Sequence, residues 1–273
     1  MSSPVRGLAT LFLLALGAMP VSASAQSAPD SAVRVVVNIP AGRLDLYRGA
    51  ARVRSFPVSV GTPAHRTPAG SYQIRHAIWN PDWTPPPSEW ARDKKHTAPG
   101  PRNPMGRVKL PLGDLYYIHG TVAENERLLG RPASHGCIRM SNRDVMELAR
   151  ALHAYASPGV TPERLDAIAG EPGRTRWVAL PRGVAVQITY ARAEVHEGRL
   201  TIHPDVYARG ADLRGEVRTA LLAGGLDPFA LDGEALARAE ADLRRGVRAT
   251  VPVAALPRLR VPVAVPAGAT GDS

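Results

Sequence analysis

From Val33 onward the side chains alternate with a period of two. Val33, Val35 and Val37 stand against Arg34, Val36 and Asn38, and Leu44 and Leu46 against Asp45 and Tyr47. That period puts successive side chains on opposite faces of an extended backbone, so these stretches specify strands. The interruptions at Pro40-Ala41-Gly42 and Arg48-Gly49-Ala50 are too short for a helical crossover, so the neighbouring strands must be antiparallel. A third strand over 53–60 ends at Gly61-Thr62-Pro63, and Gly70 turns the chain into a fourth over 71–79. The result is a β-meander, and the fold class it predicts is mainly β with packed helices.

Helical signals come later. Ser141 and Asp144 form a Ser-x-x-Asp cap, and Val145, Leu148, Ala149 and Leu152 recur at helical spacing, predicting a helix over 142–155. Thr161-Pro162-Glu163 opens a second, with proline at its first helical position. Residues 124–129 suit a single helical turn before Gly130-Arg131-Pro132. Strands over 184–190 and 199–203, with Glu197-Gly198 as a turn, are expected to close a domain spanning 33–208. Two amphipathic segments, 213–222 and 234–244, then precede a run of Val, Pro and Ala, which makes 209–273 a helical or partly disordered tail.

Between 80 and 113 periodicity stops, prolines stand at 81, 85, 86, 87, 99, 101, 104 and 111, and Trp79, Trp83 and Trp90 are spaced through the region. Long aperiodic stretches are functional or disordered, and disordered ones seldom carry tryptophan. An ordered flap is expected, its tryptophans either touching a ligand or stapling the loop to the sheet.

The N-terminus reads as a secretory leader. Arg6 precedes an apolar run from Leu8 to Met19, and Ala23-Ser24-Ala25 supplies a small-x-small cleavage site. The run is shorter than the roughly 20 residues that span a bilayer, so no permanent membrane span is expected. A short linker, 26–32, follows. Export implies a periplasmic or secreted protein. Removing 1–25 takes away only Arg6 and lowers the net charge from +10 to +9. The positive charge is almost all arginine and is scattered, which argues against nucleic acid as a partner.

Cys137 is the only cysteine, and an unpaired thiol in an exported chain calls for a reason. It lies in Ser134-His135-Gly136-Cys137-Ile138-Arg139-Met140, and residues 120–136 separate it from His119, which closes the apolar run Leu115-Tyr116-Tyr117-Ile118. A strand that delivers a histidine beside a cysteine suits nucleophilic acyl chemistry, with His119 as base. Gly136 permits a sharp turn and close approach of a carbonyl, with amides near Gly136 and Cys137 as oxyanion donors. His135 lies near the site. Arg139 either holds a substrate carboxylate or braces the loop. Two other readings of these residues are an inert buried thiol and a zinc site built from His119, His135 and Cys137.

Ile118-His119-Gly120-Thr121, followed after a gap by Ser134-His135-Gly136-Cys137-Ile138-Arg139-Met140, resembles the catalytic signature of L,D-transpeptidases of the YkuD/ErfK type. The resemblance extends to Gly61-Thr62-Pro63, 67–72, 79–83 and 101–106. It implies a β-sandwich-like catalytic domain in which Cys137 attacks a peptide carbonyl, His119 is the base and the Gly120 carbonyl orients the imidazole. It also implies a lid over 80–113, no metal or other cofactor, and peptidoglycan stem peptides as partners. Ser134, Tyr117, Trp83 and Arg139 are the expected substrate contacts. The donor would be a tetrapeptide stem that loses D-alanine. The acceptor would be a second stem, giving a three-to-three cross-link, a lipoprotein lysine, or water, which gives a carboxypeptidase. A cysteine peptidase of another kind and a non-catalytic wall-binding module are the remaining readings.

Overall fold

The computed structural model describes residues 32–113, 115–210 and 212–258. The expected leader, its cleavage point and the last part of the expected tail lie outside the described residues. The chain runs β1 (Val33–Asn38), β2 (Arg43–Arg48), β3 (Ala51–Pro57), β4 (Val60–Gly61), β5 (Gly70–Trp79), β6 (Val108–Pro111), β7 (Tyr117–His119), α1 (Ala123–Glu126), β8 (Pro132–Ser134) and β9 (Ile138–Arg139). It continues through α2 (Asn142–Ala156), α3 (Pro162–Gly170), β10 (Arg176–Thr189), β11 (Ala193–His196), β12 (Arg199–Ile202), α4 (Leu213–Ala223), α5 (Gly233–Arg244) and β13 (Ala249–Pro252).

The alternating stretch forms β1, β2 and β3, antiparallel as expected, and pairs Val35 with Leu46 and Val37 with Leu44, all of them buried. The full sheet has eight strands in the order β3-β2-β1-β10-β5-β6-β7-β9. It is mixed, because β10 runs parallel to β1 and β9 parallel to β7. The sheet also curls. Just past β3, Ser59 exchanges backbone hydrogen bonds with Arg139 of β9 at 2.9 and 2.8 Å, joining the two ends of the strand order. The fold is thus mainly β with packed helices.

One strand lies where none was expected. Val108 and Leu110, both fully buried, carry β6 inside the proline-rich region and pair it between β5 and β7. The rest of that region is ordered by a bridge between Trp83 and Thr97 and by Asn103, whose amide donates to the carbonyls of Pro81, Thr97 and Ala98.

α2 starts where its cap predicts, the Ser141 hydroxyl accepting from the Asp144 amide at 3.0 Å. Val145, Leu148, Ala149, Leu152 and Ala156 face the sheet with no exposure. Burial of each larger aliphatic side chain stabilises the fold by about 1.5–3 kcal/mol.

The strand expected at 199–203 does not join this sheet. β11 and β12 form a hairpin whose turn residues Glu197 and Gly198 both have positive φ (48° and 70°), and β13 adds to β12 as a third strand. Leu200, Ile202, Val217, Leu221 and Leu236 build a second core between this sheet and α4 and α5. The unit straddles the border expected at Ala208, since it takes strands from both sides of it. Tyr207, with no exposure, packs back into the first core. The two units are joined by Arg43 of β2, which donates to both oxygens of Glu194 of β11 at 2.6 and 2.8 Å, while His203 donates to the same carboxylate at 2.8 Å. Burial pushes the Glu194 carboxyl up, but these donors outweigh it and hold the group well below the usual carboxylate range.

Candidate active site

Parallel pairing of β7 with β9 brings the two halves of the sequence signature together. Ile118 pairs with Ile138 and His119 with Arg139. Ile118 and Ile138 are buried in the first core. Alternation then sends His119, Arg139 and the preceding Cys137 to the opposite face. Two strands therefore present the thiol and the imidazole on one face of the sheet.

His119 is 4% exposed, and its Nδ1 donates to the Gly120 carbonyl oxygen at 2.5 Å. A carbonyl only accepts, so the proton sits on Nδ1 and Nε2 is the basic nitrogen. Burial pushes the imidazole pKa down to about 3, the Arg139 and Lys109 cations push the same way, and the carbonyls of Gly120 and Met105 oppose them. The turn after His119 has no room for a side chain, since a Cβ on Gly120 would meet the Asn142 Oδ1 at 2.3 Å. Asn142 uses that oxygen to accept from the Arg107 amide at 2.8 Å and donates to the Thr121 carbonyl at 2.9 Å. Its place at the first turn of α2 ties the helix to the orientation of His119.

Cys137 is half-buried, and its thiol donates to the Leu115 carbonyl, with sulfur and oxygen 3.6 Å apart. Burial pushes the thiol up, while the Tyr117 amide and the Arg139 guanidinium pull it down. The turn before it needs Gly136, with φ +108° and the Tyr116 ring 3.0 Å from where a Cβ would stand. Ser134 closes this turn, its hydroxyl donating to the Cys137 carbonyl at 2.5 Å and accepting from the Gly136 amide at 3.1 Å. Ser134, 1% exposed, braces the segment that carries the thiol, and its hydroxyl occupies the Gly136 amide that was expected as an oxyanion donor.

A second brace was not visible in the sequence. The Thr67 hydroxyl donates to the Gly136 carbonyl and accepts from the Gly61 amide, both at 2.8 Å. The Tyr207 hydroxyl in turn accepts from the Thr67 amide at 2.9 Å and donates to the Gly61 carbonyl at 3.0 Å. These contacts span 69 and 140 residues of sequence, so no local pattern announces them.

The flap reaches the site through Trp90, whose indole stacks on His135 with centroids 4.1 Å apart, and the His65 ring lies 4.8 Å from the same imidazole. His135 is exposed and belongs to this stack rather than to a ligand set with His119 and Cys137. Among the described residues no three His, Cys, Asp or Glu side chains are grouped to hold a metal ion. The Trp83 backbone pairs with that of Thr97 within the flap, each amide donating to the other's carbonyl at 2.9 Å. The Tyr117 ring lies under the Lys109 ammonium at 5.6 Å. Arg139 donates to the Ala133 carbonyl at 3.2 Å, a bracing contact.

Residues 32–175 match the YkuD family model, described as the L,D-transpeptidase catalytic domain. This is more than half of the chain, and the chain belongs to that family. It is 41% identical over 98 residues to a putative L,D-transpeptidase of Fuscovulum blasticum, covering 35% of this chain and 51% of that protein. To the putative L,D-transpeptidase YkuD of Bacillus licheniformis it is 32% identical over 130 residues, covering 47% and 66%. To the probable L,D-transpeptidase YbiS of Escherichia coli K12 it is 33% identical over 120 residues, covering 41% and 39%. The chain thus spans about half the length of the curated relatives it matches. Among solved structures, an L,D-transpeptidase from Mycobacterium smegmatis superposes with a TM-score of 0.36 at 16% identity, over 57% of this chain and 58% of that one.

Proposed function

We propose that the chain is a cysteine-dependent peptidoglycan L,D-transpeptidase. The observation that carries this reading is the fixed tautomer of His119, which makes Nε2 the basic nitrogen on the face where β9 presents the only thiol. The resting pair is neutral, because burial raises the thiol and depresses the imidazole. Proton transfer then accompanies attack. The sulfur bonds to the carbonyl carbon of residue three of a tetrapeptide stem, and the thiol proton passes to His119 Nε2. Collapse of the tetrahedral adduct breaks the C–N bond, and His119 returns the proton to the departing D-alanine amine. An acceptor amine attacks the thioester, its proton goes to His119, and the thiol re-forms.

Arg139 and the Tyr117 amide stabilise negative charge on sulfur during attack. With the Gly136 amide occupied, the Cys137 amide is the remaining backbone donor for the oxyanion. No step calls for a nucleotide or a metal, since one amide is exchanged for another. The acceptor is a second stem or a lipoprotein lysine, and water would make the same site a carboxypeptidase. The expected leader supports action outside the cytoplasm. Among the described residues no helix is long and apolar enough to cross a membrane.

Incubation of the purified protein with disaccharide-tetrapeptide muropeptides, followed by mass spectrometry, tests this. Loss of one D-alanine with formation of a three-to-three dimer is expected, together with a covalent thioester on Cys137. Turnover that survives Cys137→Ala would refute the assignment.

A further inference from the structure

Trp177 is 67% exposed and its indole stacks on the His76 imidazole, centroids 4.8 Å apart and planes 19° apart. An exposed aromatic side chain alone needs no explanation. Its position relative to the thiol does. Trp177 pairs with Ile78 and Ala179 with His76, on neighbouring strands β10 and β5. From there the register crosses the sheet without a break: Ile78 with Lys109, Lys109 with His119, and His119 with Arg139. Paired residues share a face. Trp177 and His76 therefore lie on the face of His119 and Cys137, opposite the core residues Trp79, Val108, Leu110, Ile118 and Ile138. Trp177 is also outside residues 32–175, the stretch that the family model matches.

Two rows of side chains link platform and thiol. In the row of His119, Ile78 is 1% exposed, and Lys109 donates to the Asp82 carbonyl of the flap. That row is covered. The next row continues the register by two residues along each strand and holds His76, Pro111, Tyr117 and Cys137, each partly exposed. It forms an open track. His76 stands three strand spacings from β9 and Trp177 four, which at about 4.8 Å per spacing is about 14 to 19 Å from Cys137.

We propose that Trp177 and His76 form a platform for a sugar ring of the glycan strand that bears the donor stem. The proposal rests on the transpeptidase reading. The reach fits: residue three, the two residues before it and the lactyl link to the sugar make four units, about 14 Å when extended. A stem held with its third carbonyl at Cys137 and laid along the open track delivers its sugar to the platform. The chemistry fits as well. A pyranose presents a face of axial C–H bonds, apolar and weakly positive, and the face of an indole is its electrostatic complement. Burial lowers the His76 pKa, so its ring is neutral at pH 7 and adds flat, uncharged surface.

Titration with tetra-N-acetylchitotetraose, a stem-free β-linked N-acetylhexosamine oligomer, tests the platform by quenching of indole fluorescence and by calorimetry. The wild-type chain is expected to bind it, Trp177→Ala to weaken binding about tenfold, and Trp177→Phe to retain most of it. Absence of binding by the wild-type chain, or equal binding by Trp177→Ala, overturns the proposal. A second measurement compares kcat/KM for a disaccharide-tetrapeptide with that for the sugar-free tetrapeptide. The wild-type preference for the sugar-bearing donor should fall toward one in Trp177→Ala, mainly through KM, and a preference that persists would place the sugar elsewhere. Wild-type turnover of the sugar-free stem reads acyl transfer alone, so its failure would count against the proposed function and not against the platform.

Discussion

The two faces of the sheet each bury a histidine, and they use it differently. On the helix side, His153 of α2 has no exposure, and burial pushes its pKa down to about 4. Both of its nitrogens are engaged. The Ser157 hydroxyl donates to the Ala179 carbonyl at 2.6 Å, so the 2.8 Å bond between His153 Nδ1 and that hydroxyl must be donated by Nδ1, and Nε2 accepts from the Trp79 indole at 3.3 Å. On the opposite face His119 is also deeply buried and strongly depressed, yet its short hydrogen bond from Nδ1 to the Gly120 carbonyl fixes the tautomer that makes Nε2 the basic nitrogen. Burial and a shifted pKa are thus common to a packing histidine and a candidate base. What separates them is the face they occupy, since only His119 shares its face with the thiol.

The largest expected effects fall on the reactive face. Cys137→Ala should abolish acyl-enzyme formation while leaving the thermal midpoint close to wild type, since a half-buried thiol contributes little packing. His119→Ala should lower kcat/KM by about 10²–10⁴-fold, the usual worth of a positioned general base. His153→Ala inverts this pattern. It removes a buried ring and unpairs the Trp79 indole, so about 2–4 kcal/mol of stability should be lost with kcat/KM of the folded fraction near wild type. A His153 variant that keeps its stability but loses turnover would erase the distinction between the two faces.

Acid should expose the same pair. Both histidines have folded pKa values, about 3 and about 4, below the unfolded value near 6.5. Folding therefore favours their neutral forms, and the stability contributed is complete above about pH 6.5 and lost as pH falls toward the folded values. Protonated His153 would also aim an N–H at the indole N–H. The thermal midpoint should begin to fall between about pH 6.5 and 5, before the carboxylates titrate, and His153→Phe should flatten that slope. The rate behaves otherwise, because His119 remains a free base at about pH 5. The kcat/KM profile should show no inflection near 6.5, and an inflection there would mean that His119 is far less buried in solution.

Legibility from sequence followed the range of the interactions. β1, β2, β3 and α2 were readable because alternation, turns and a Ser-x-x-Asp cap act within a few residues. β6 was hidden, since Val108 and Leu110 alternate over only four residues among prolines and acquire their strand from β5 and β7. The turn at Glu197-Gly198 and the strand after it were legible, but the strand before the turn is 193–196 and not 184–190, which belongs to β10, and the third strand β13 lies some fifty residues on. At the site, Cys137 and His119 stood out by residue type and spacing. Thr67, Asn142 and Tyr207 did not, because a hydroxyl or an amide acquires a role only from the distant carbonyl it meets.

The finest comparison is between two serines. Ser157 braces His153 from the carbonyl of Ala179, and Ser134 braces Cys137 by bonding its carbonyl and the Gly136 amide. Each substitution by alanine leaves buried polar groups without a partner, and each should cost about 1–3 kcal/mol. The consequences for catalysis differ. Ser157→Ala should lower the thermal midpoint and leave kcat and KM unchanged, since nothing it touches reaches the groove. Ser134→Ala relaxes the turn that aims the thiol, while Thr67 still holds the Gly136 carbonyl. A modest drop in kcat, of about tenfold, with KM unchanged is therefore expected alongside the lower midpoint. The two variants measured side by side by thermal melt and steady-state kinetics decide the role of Ser134. A rise in KM with an unchanged midpoint would return it to substrate contact, the role first expected from the sequence.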